Sequence, residues 1–207
     1  MKIRVLVVDL DGTLYATNTF RQFIKYVWIR SIMNVDIILS FQVLFLIIMR
    51  LIRIIGHAEL KFYFLSFIAN RSYIDKSDFV SSLCIYKRNI MVLQSQKYNL
   101  KVLATAAPEI YSRIIAKEQG FDVCIATKNP NSRYHKEYEN SKENKKENVL
   151  SYLKTKGLDS VDLLITDHVD DLPLIKISKR NIIVNPNIRF EKMLQALEID
   201  YKVANYG

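Results

Sequence analysis

"VVDLDGTL", residues 7–14, sets two carboxylates, Asp9 and Asp11, on either side of one leucine where an apolar run stops. Like charges held so close repel, and one pKa rises unless a cation sits between them. Asp-Gly is also a common turn dipeptide, so the stretch by itself fits a solvated strand-to-loop turn as well. What else the chain brings to that strand end decides between the two.

Four short apolar runs end in polar or acidic residues: "IRVLVVD" (3–9), "LKVLATA" (100–106), "VDLLITD" (161–167) and "NIIVNP" (181–186). They are rich in Val, Ile and Leu without strict alternation, as strands buried on both faces are. "FDVCIAT" (121–127) supplies a fifth. Helical patterns lie between the later runs. "PEIYSRIIAKEQG" opens with Pro108 at a first helical position and closes on Gly120, and "KENVLSYLKTKG" and "RFEKMLQALE" are amphipathic. Strand–helix alternation predicts an α/β fold with a doubly wound parallel sheet.

Between the first two runs, residues 15–98 contain no convincing strand and no proline. Phe20, Phe23, Ile24, Val27 and Trp28 recur at helical spacing. "VDIILSFQVLFLIIMRLIRIIG" (35–56) follows, apolar on almost every side, and "AELKFYFLSFIAN" and "KSDFVSSLCIYKRNIMVLQSQ" give further helices. The expected domains are a core of residues 1–14 and 99–207 and an all-helical cap of residues 15–98. The charge-free run 37–49 is shorter than the roughly 20 residues of a spanning helix. Both ends of the insertion return to one sheet, which forbids an odd number of crossings, and no second run matches it. The run therefore reads either as a helix buried inside the cap or as an interfacial segment with side chains such as Phe45 and Leu46 in lipid.

The 207 residues hold one ordinary domain plus a modest insertion, and the half that is hydrophobic argues against disorder. A formal charge of +9 favours anionic partners: phosphorylated substrates, anionic lipid or nucleic acid. No helix-turn-helix, zinc-finger or RRM signature is present, so nucleic acid is not expected. Cys84 and Cys124 match no metal spacing and read as packing residues of a reduced protein. "MKIRVLVVDLDG" starts as a signal peptide would, but its apolar run is short and ends in aspartates. The expected location is cytoplasmic, with peripheral contact at the inner membrane face through the cap.

Ligands of an open parallel sheet bind beyond the carboxyl ends of its strands. Those ends carry Asp9 and Asp11, Thr105, and Asp167 and Asp171 of "TDHVDD". Thr105 precedes Ala106, Ala107 and Pro108, where backbone amides at a helix start would receive a phosphate. Four carboxylates beside a phosphate need cations, and a hard divalent ion, Mg²⁺, suits oxygen ligands. A lysine from "NSKENKKEN" (140–148) is the other expected cation. Taking Val149, Leu150 and Leu153 as the sheet-facing side puts Lys146 on that side and rotates Lys145 off it. Lys142 shares the face only if the helix starts that early.

"DLDGT", "LATAAPE", a lysine before a helix, and "DHVDD" occur in the order seen in the haloacid dehalogenase (HAD) superfamily. The resemblance covers the chain on both sides of the insertion, and the insertion resembles the cap of the phosphoserine phosphatase-like subfamily. It implies a Rossmann-like core and a Mg²⁺-dependent phosphomonoesterase. Asp9 would be the nucleophile, forming an aspartyl-phosphate, and Asp11 the general acid and base. Thr105, Ala106 and Lys146 would hold the phosphoryl oxygens. Asp9, the Asp11 carbonyl and Asp167 would hold the metal, with Asp171 behind them.

Departures from the subfamily bear on the substrate. Where phosphoserine phosphatases carry a glutamate for the substrate's amino group, this chain has a position near Asn18, which argues against phosphoserine. In the last motif Thr166 replaces a glycine, His168 follows the aspartate, and Asp170 stands where an amide is usual. An acid at Asp170 must turn away from phosphate or pair with a cation. The apolar, basic cap resembles that of phosphatidylglycerophosphatase-type members and suggests a lipid or polyprenyl phosphate. A small soluble ester such as a sugar phosphate is the alternative substrate, and a non-catalytic HAD-like binding protein is the alternative function.

Overall fold

The computed structural model describes residues 3–206. Six parallel strands form one sheet in the order β3-β2-β1-β4-β5-β6. They are β1 (Val5–Val8), β2 (Leu100–Pro108), β3 (Val123–Thr127), β4 (Leu163–Thr166), β5 (Asn181–Val184) and β6 (Lys202–Ala204). Leu6 at the centre faces Lys101 of β2 on one side and Leu163 of β4 on the other. All four β1 residues are buried, because both faces of the sheet are covered. Leu6 and Val8 point into one core, and Val5 and Val7 into the other. The strand order reverses at β1, so the crevice for a ligand lies at its carboxyl end.

The connections supply the layers. Helices α1 (Thr19–Met33), α2 (Ile37–Leu51), α3 (His57–Ile68) and α4 (Lys76–Ser82) stand between β1 and β2, and α5 (Glu109–Glu118) follows β2. Helices α6 (Lys142–Thr155), α7 (Leu172–Ile175) and α8 (Ile188–Ala196) follow β3, β4 and β5. Val149 and Leu153 of α6 and Phe190 and Leu194 of α8 pack under Val5, Val7 and Val102. Tyr111 and Ile115 of α5 share the other core with Phe20, Phe23, Phe64 and Phe79 of the insertion. Phe23 is the hub, 4.7 Å from the Phe79 ring and 5.0 Å from that of Tyr111.

This is the α/β doubly wound class that strand–helix alternation predicts. The sixth strand is new: three residues at the sheet edge, with Lys202 and Val203 exposed, make no apolar run to read. Helix α5 begins at Glu109, with Pro108 as its extended cap residue rather than its first helical one. Gly120 follows that helix at φ +71°, the left-handed conformation its position requires. Cys84 is exposed and Cys124 half-buried, so Cys84 is no packing residue.

Helix α2 is where the sequence left two readings open. Asp36 caps it, accepting from the Leu39 amide at 2.9 Å and held by Arg71 and Tyr73. Only Leu39, Val43 and Leu46 are buried, at a spacing of four and three that marks one face. Ile37, Ile38, Phe41, Phe45, Ile48 and Leu51 are exposed, so the helix is not buried inside the cap. Phe45 fits a surface contact, but Leu46 belongs to the core. Among the described residues no helix is long and apolar enough to cross a membrane.

Candidate active site

The carboxyl ends of β1, β2 and β4 open into a cavity of about 500 Å³ lined by Asp9, Asp11, Thr105, Lys145, Asp167 and Asp171, among others. Asp9 leaves β1 directly, its amide donating to the Ile165 carbonyl of β4 at 2.9 Å. The chain then turns sharply through Gly12, whose φ is +74°. A Cβ on Gly12 would lie 1.9 Å from Oδ2 of Asp167, so only glycine lets the first and last acidic loops touch. Thr13 completes that contact, its hydroxyl donating to Asp167 at 3.1 Å.

The lysine at this site is Lys145, not Lys146. Its Nζ donates to Asp9 at 2.7 Å and to Asp171 at 2.8 Å, and the residue is buried. Lys145, Val149 and Leu153 are the buried residues of α6, spaced four apart, which sets its inward face one position from Lys146. Lys146 pairs instead with Glu143 and Glu147 on the outer side of the same helix. The side chain of Lys142 is exposed and stands 3.9 Å from Asp170, while His168 Nδ1 lies 3.7 Å from the same carboxylate. The extra acid of the last motif lines the same cavity, with one lysine and one imidazole beside it.

Burial raises the Asp9 pKa well above the usual carboxylate range, and Asp171 and Asp167 add to this while Lys145 offsets part of it. Burial also pushes Asp167 up to about 6, against the Thr13 hydrogen bond. For Lys145, burial works against the charge, yet Asp171 and Asp9 more than compensate and its pKa stands above that of an ordinary lysine. The ammonium therefore stays protonated, and the carboxylates remain short of positive charge.

Asp11 is held differently. Its Oδ1 accepts from the Thr19 amide at 3.0 Å and the Thr19 hydroxyl at 2.6 Å, at the start of α1. The Tyr111 hydroxyl lies 3.0 Å from the Thr19 oxygen. An ionised Asp11 can only accept, so Thr19 gives its proton to Asp11 and Tyr111 donates to Thr19. Burial raises the Asp11 pKa, and the Thr19 bonds hold it back. One acid thus sits among carboxylates and a lysine, the other among hydroxyls.

Several residues that the sequence left unmarked build the walls. Lys61, buried on α3, donates to the Ala106 carbonyl at 2.5 Å and pairs with Glu139. Asn140 donates to the Thr105 and Ile125 carbonyls, each at 2.9 Å, bolting the loop before α6 to the ends of β2 and β3. Thr105 is buried, and its hydroxyl accepts from the Ala107 amide at 3.0 Å. Arg88 donates to the carbonyls of Gly12 and Thr13. Among the described residues no three His, Cys, Asp or Glu side chains form a ready-made metal cage. Mg²⁺ needs less, since it takes one or two carboxylates and completes its shell with water and phosphate oxygens.

A family model described as haloacid dehalogenase-like hydrolase matches residues 6–176, from β1 to α7. The chain belongs to that family. No curated protein matches it in sequence. Among solved structures, a protein of unknown function from Bordetella pertussis Tohama I aligns over 98% of both chains, with a TM-score of 0.74 and 17% identity. A HAD family hydrolase from Salmonella enterica serovar Typhi is 10% identical, with a TM-score of 0.59, over 98% of this chain and 67% of that one. A phosphoserine phosphatase captured as a phospho-aspartyl intermediate analogue is 13% identical at a TM-score of 0.59, over 98% of this chain and 94% of that one. At such identities these likenesses speak for the HAD fold. The hydrolase class follows from the family.

Proposed function

We propose that this HAD-family chain is a Mg²⁺-dependent phosphomonoesterase that works through an aspartyl-phosphate on Asp9. The observation that carries the reading is the buried Asp9–Lys145–Asp171 cluster, with Asp11 held apart from it by Thr19. The Asp9 carboxylate attacks phosphorus while Asp11, its pKa raised by burial, protonates the departing ester oxygen. Asp11, now ionised, takes a proton from the water that attacks the acyl-phosphate, which releases phosphate and restores Asp9. Thr105, the Ala106 amide and Lys145 would hold the phosphoryl oxygens. Residues 15–98 would act as the cap that bounds the cavity.

The donor set fits a hard divalent ion. Asp9 and Asp167 are oxygen donors whose burial, with Asp171 beside them, raises both pKa values, and the Asp11 carbonyl would be a third ligand. Mg²⁺ held there would neutralise the carboxylates and polarise the phosphoryl group. Asp171, taken by Lys145 and the Thr166 hydroxyl, stands behind. Every acidic position is filled, which weighs against a purely binding role.

For the substrate, the exposed apolar face of α2, with Arg50 and Arg53 at its end, supports a phosphate ester met at an anionic membrane surface. The polar cavity walls, including His57, Lys61 and Arg88, suit a soluble sugar phosphate as a second reading. Phosphate release should require Mg²⁺ and vanish with EDTA. Release from lipid phosphates in anionic vesicles should exceed that from sugar phosphates. Activity that survives exhaustive chelation would remove the metal from the mechanism. A preference for sugar phosphates would favour the second reading.

Gly12→Ala tests the loop contact. The new methyl would push the Asp167 carboxylate out of its place, and a displacement of about 1 Å costs roughly 10²-fold in rate. Steady-state phosphate release by the purified variant reads this directly.

A further inference from the structure

A second cavity of about 670 Å³ lies between α1 and α2. Asn18 and His57 line both it and the catalytic cavity, so the two adjoin at the starts of α1 and α3. Its floor is apolar: Phe20 and Leu60 are buried, and Ile24 and Ile47 are half-buried. Trp28 and Leu51 line its outer part and are exposed, so the groove runs out onto the uncovered apolar face of α2. Arg21 and Lys25 also line it, along the α1 side.

We propose that this groove takes the single hydrocarbon chain of an amphiphilic phosphate monoester whose head reaches Asp9. The proposal rests on the phosphatase reading and names the substrate class for that site. Three features favour an alkyl chain over other occupants. The groove begins at the wall of the phosphate cavity, so head and tail of one molecule fit the two spaces together. It follows α1 from Asn18 to Trp28, ten residues or about 15 Å at helical rise, which suits an extended chain rather than a compact side group. Arg21 and Lys25 beside an apolar floor suit the anionic surface from which such an amphiphile would be drawn. A tail leaving at Trp28 and Leu51 would continue along the apolar face of α2, so the molecule could be drawn from a membrane without leaving hydrocarbon.

Trp28 is the single tryptophan of the chain and reports on the groove. The test measures phosphate release and Trp28 emission with butyl, hexyl and octyl phosphate in Mg²⁺ buffer, below micelle-forming concentrations. Each buried methylene is worth about a fourfold gain, so kcat/KM should rise from butyl to octyl phosphate by about 250-fold if all four added methylenes are buried and by about 16-fold if two are. Trp28 emission should shift to the blue with the octyl ester and not with the butyl. Ile47→Ser, or Leu51→Ser at the exposed end should the first variant not fold, should flatten the octyl-to-butyl ratio. Release that is equal across the series, with unmoved Trp28 emission, overturns the groove and leaves the phosphatase standing. A chain-length-dependent emission shift without any release overturns the phosphatase reading and retains the groove. Equal release together with dimers in sedimentation velocity assigns the groove to a second copy, and the proposal falls.

Discussion

Asp9→Asn protein should release no phosphate from any ester while keeping its fold. An amide oxygen is a poor nucleophile, and none of the remaining acids can replace it. Asp171 is held by Lys145 and Thr166, Asp167 by Thr13, and Asp11 by Thr19. The substitution also removes one of three mutually repelling carboxylates, so stability should hold or improve slightly. The measurement is single-turnover release with the enzyme in excess, alongside a thermal melt. Substantial release by a folded Asp9→Asn protein would mean that water attacks phosphorus directly and that no acyl-phosphate forms.

Lys145→Ala should both inactivate and destabilise the protein. The substitution leaves Asp9 and Asp171 facing each other, buried without their shared ammonium. Breaking a buried ion pair by removing one partner costs about 3–5 kcal/mol. For a chain of this length that lowers Tm by on the order of 10 °C. Lys146→Ala removes only surface pairs with Glu143 and Glu147, which water screens, and should leave the melting temperature nearly unchanged. Calorimetry on the two variants, with Mg²⁺ and with EDTA, separates the lysines. Equal melting temperatures would contradict the buried cluster.

The contrast between these lysines shows what a sequence can and cannot carry. Strand ends and paired acids are legible because apolar runs and Asp-x-Asp spacing are local. Helix phase is also local, but Val149 and Leu150 are adjacent and both apolar, so the pattern admits two faces one residue apart. Packing chose Val149 with Leu153, and thereby Lys145. Lys61, Asn140 and Arg88 left no signal, because each meets backbone carbonyls far away along the chain. Helix α2 stayed undecided between cap core and surface for a different reason. Hydropathy records how greasy a helix is, and not whether anything covers it.

The unbroken aromatic packing from Phe23 and Phe79 to Tyr111 ties the insertion to the catalytic sheet. The insertion and the sheet therefore share one stability. A lineage whose insertion changes would draw on the same stability reserve that keeps Asp9 in place, and drift would be slowest at the rings where the two layers meet. The uncovered side of α2, by contrast, is where sequence can wander at little structural cost.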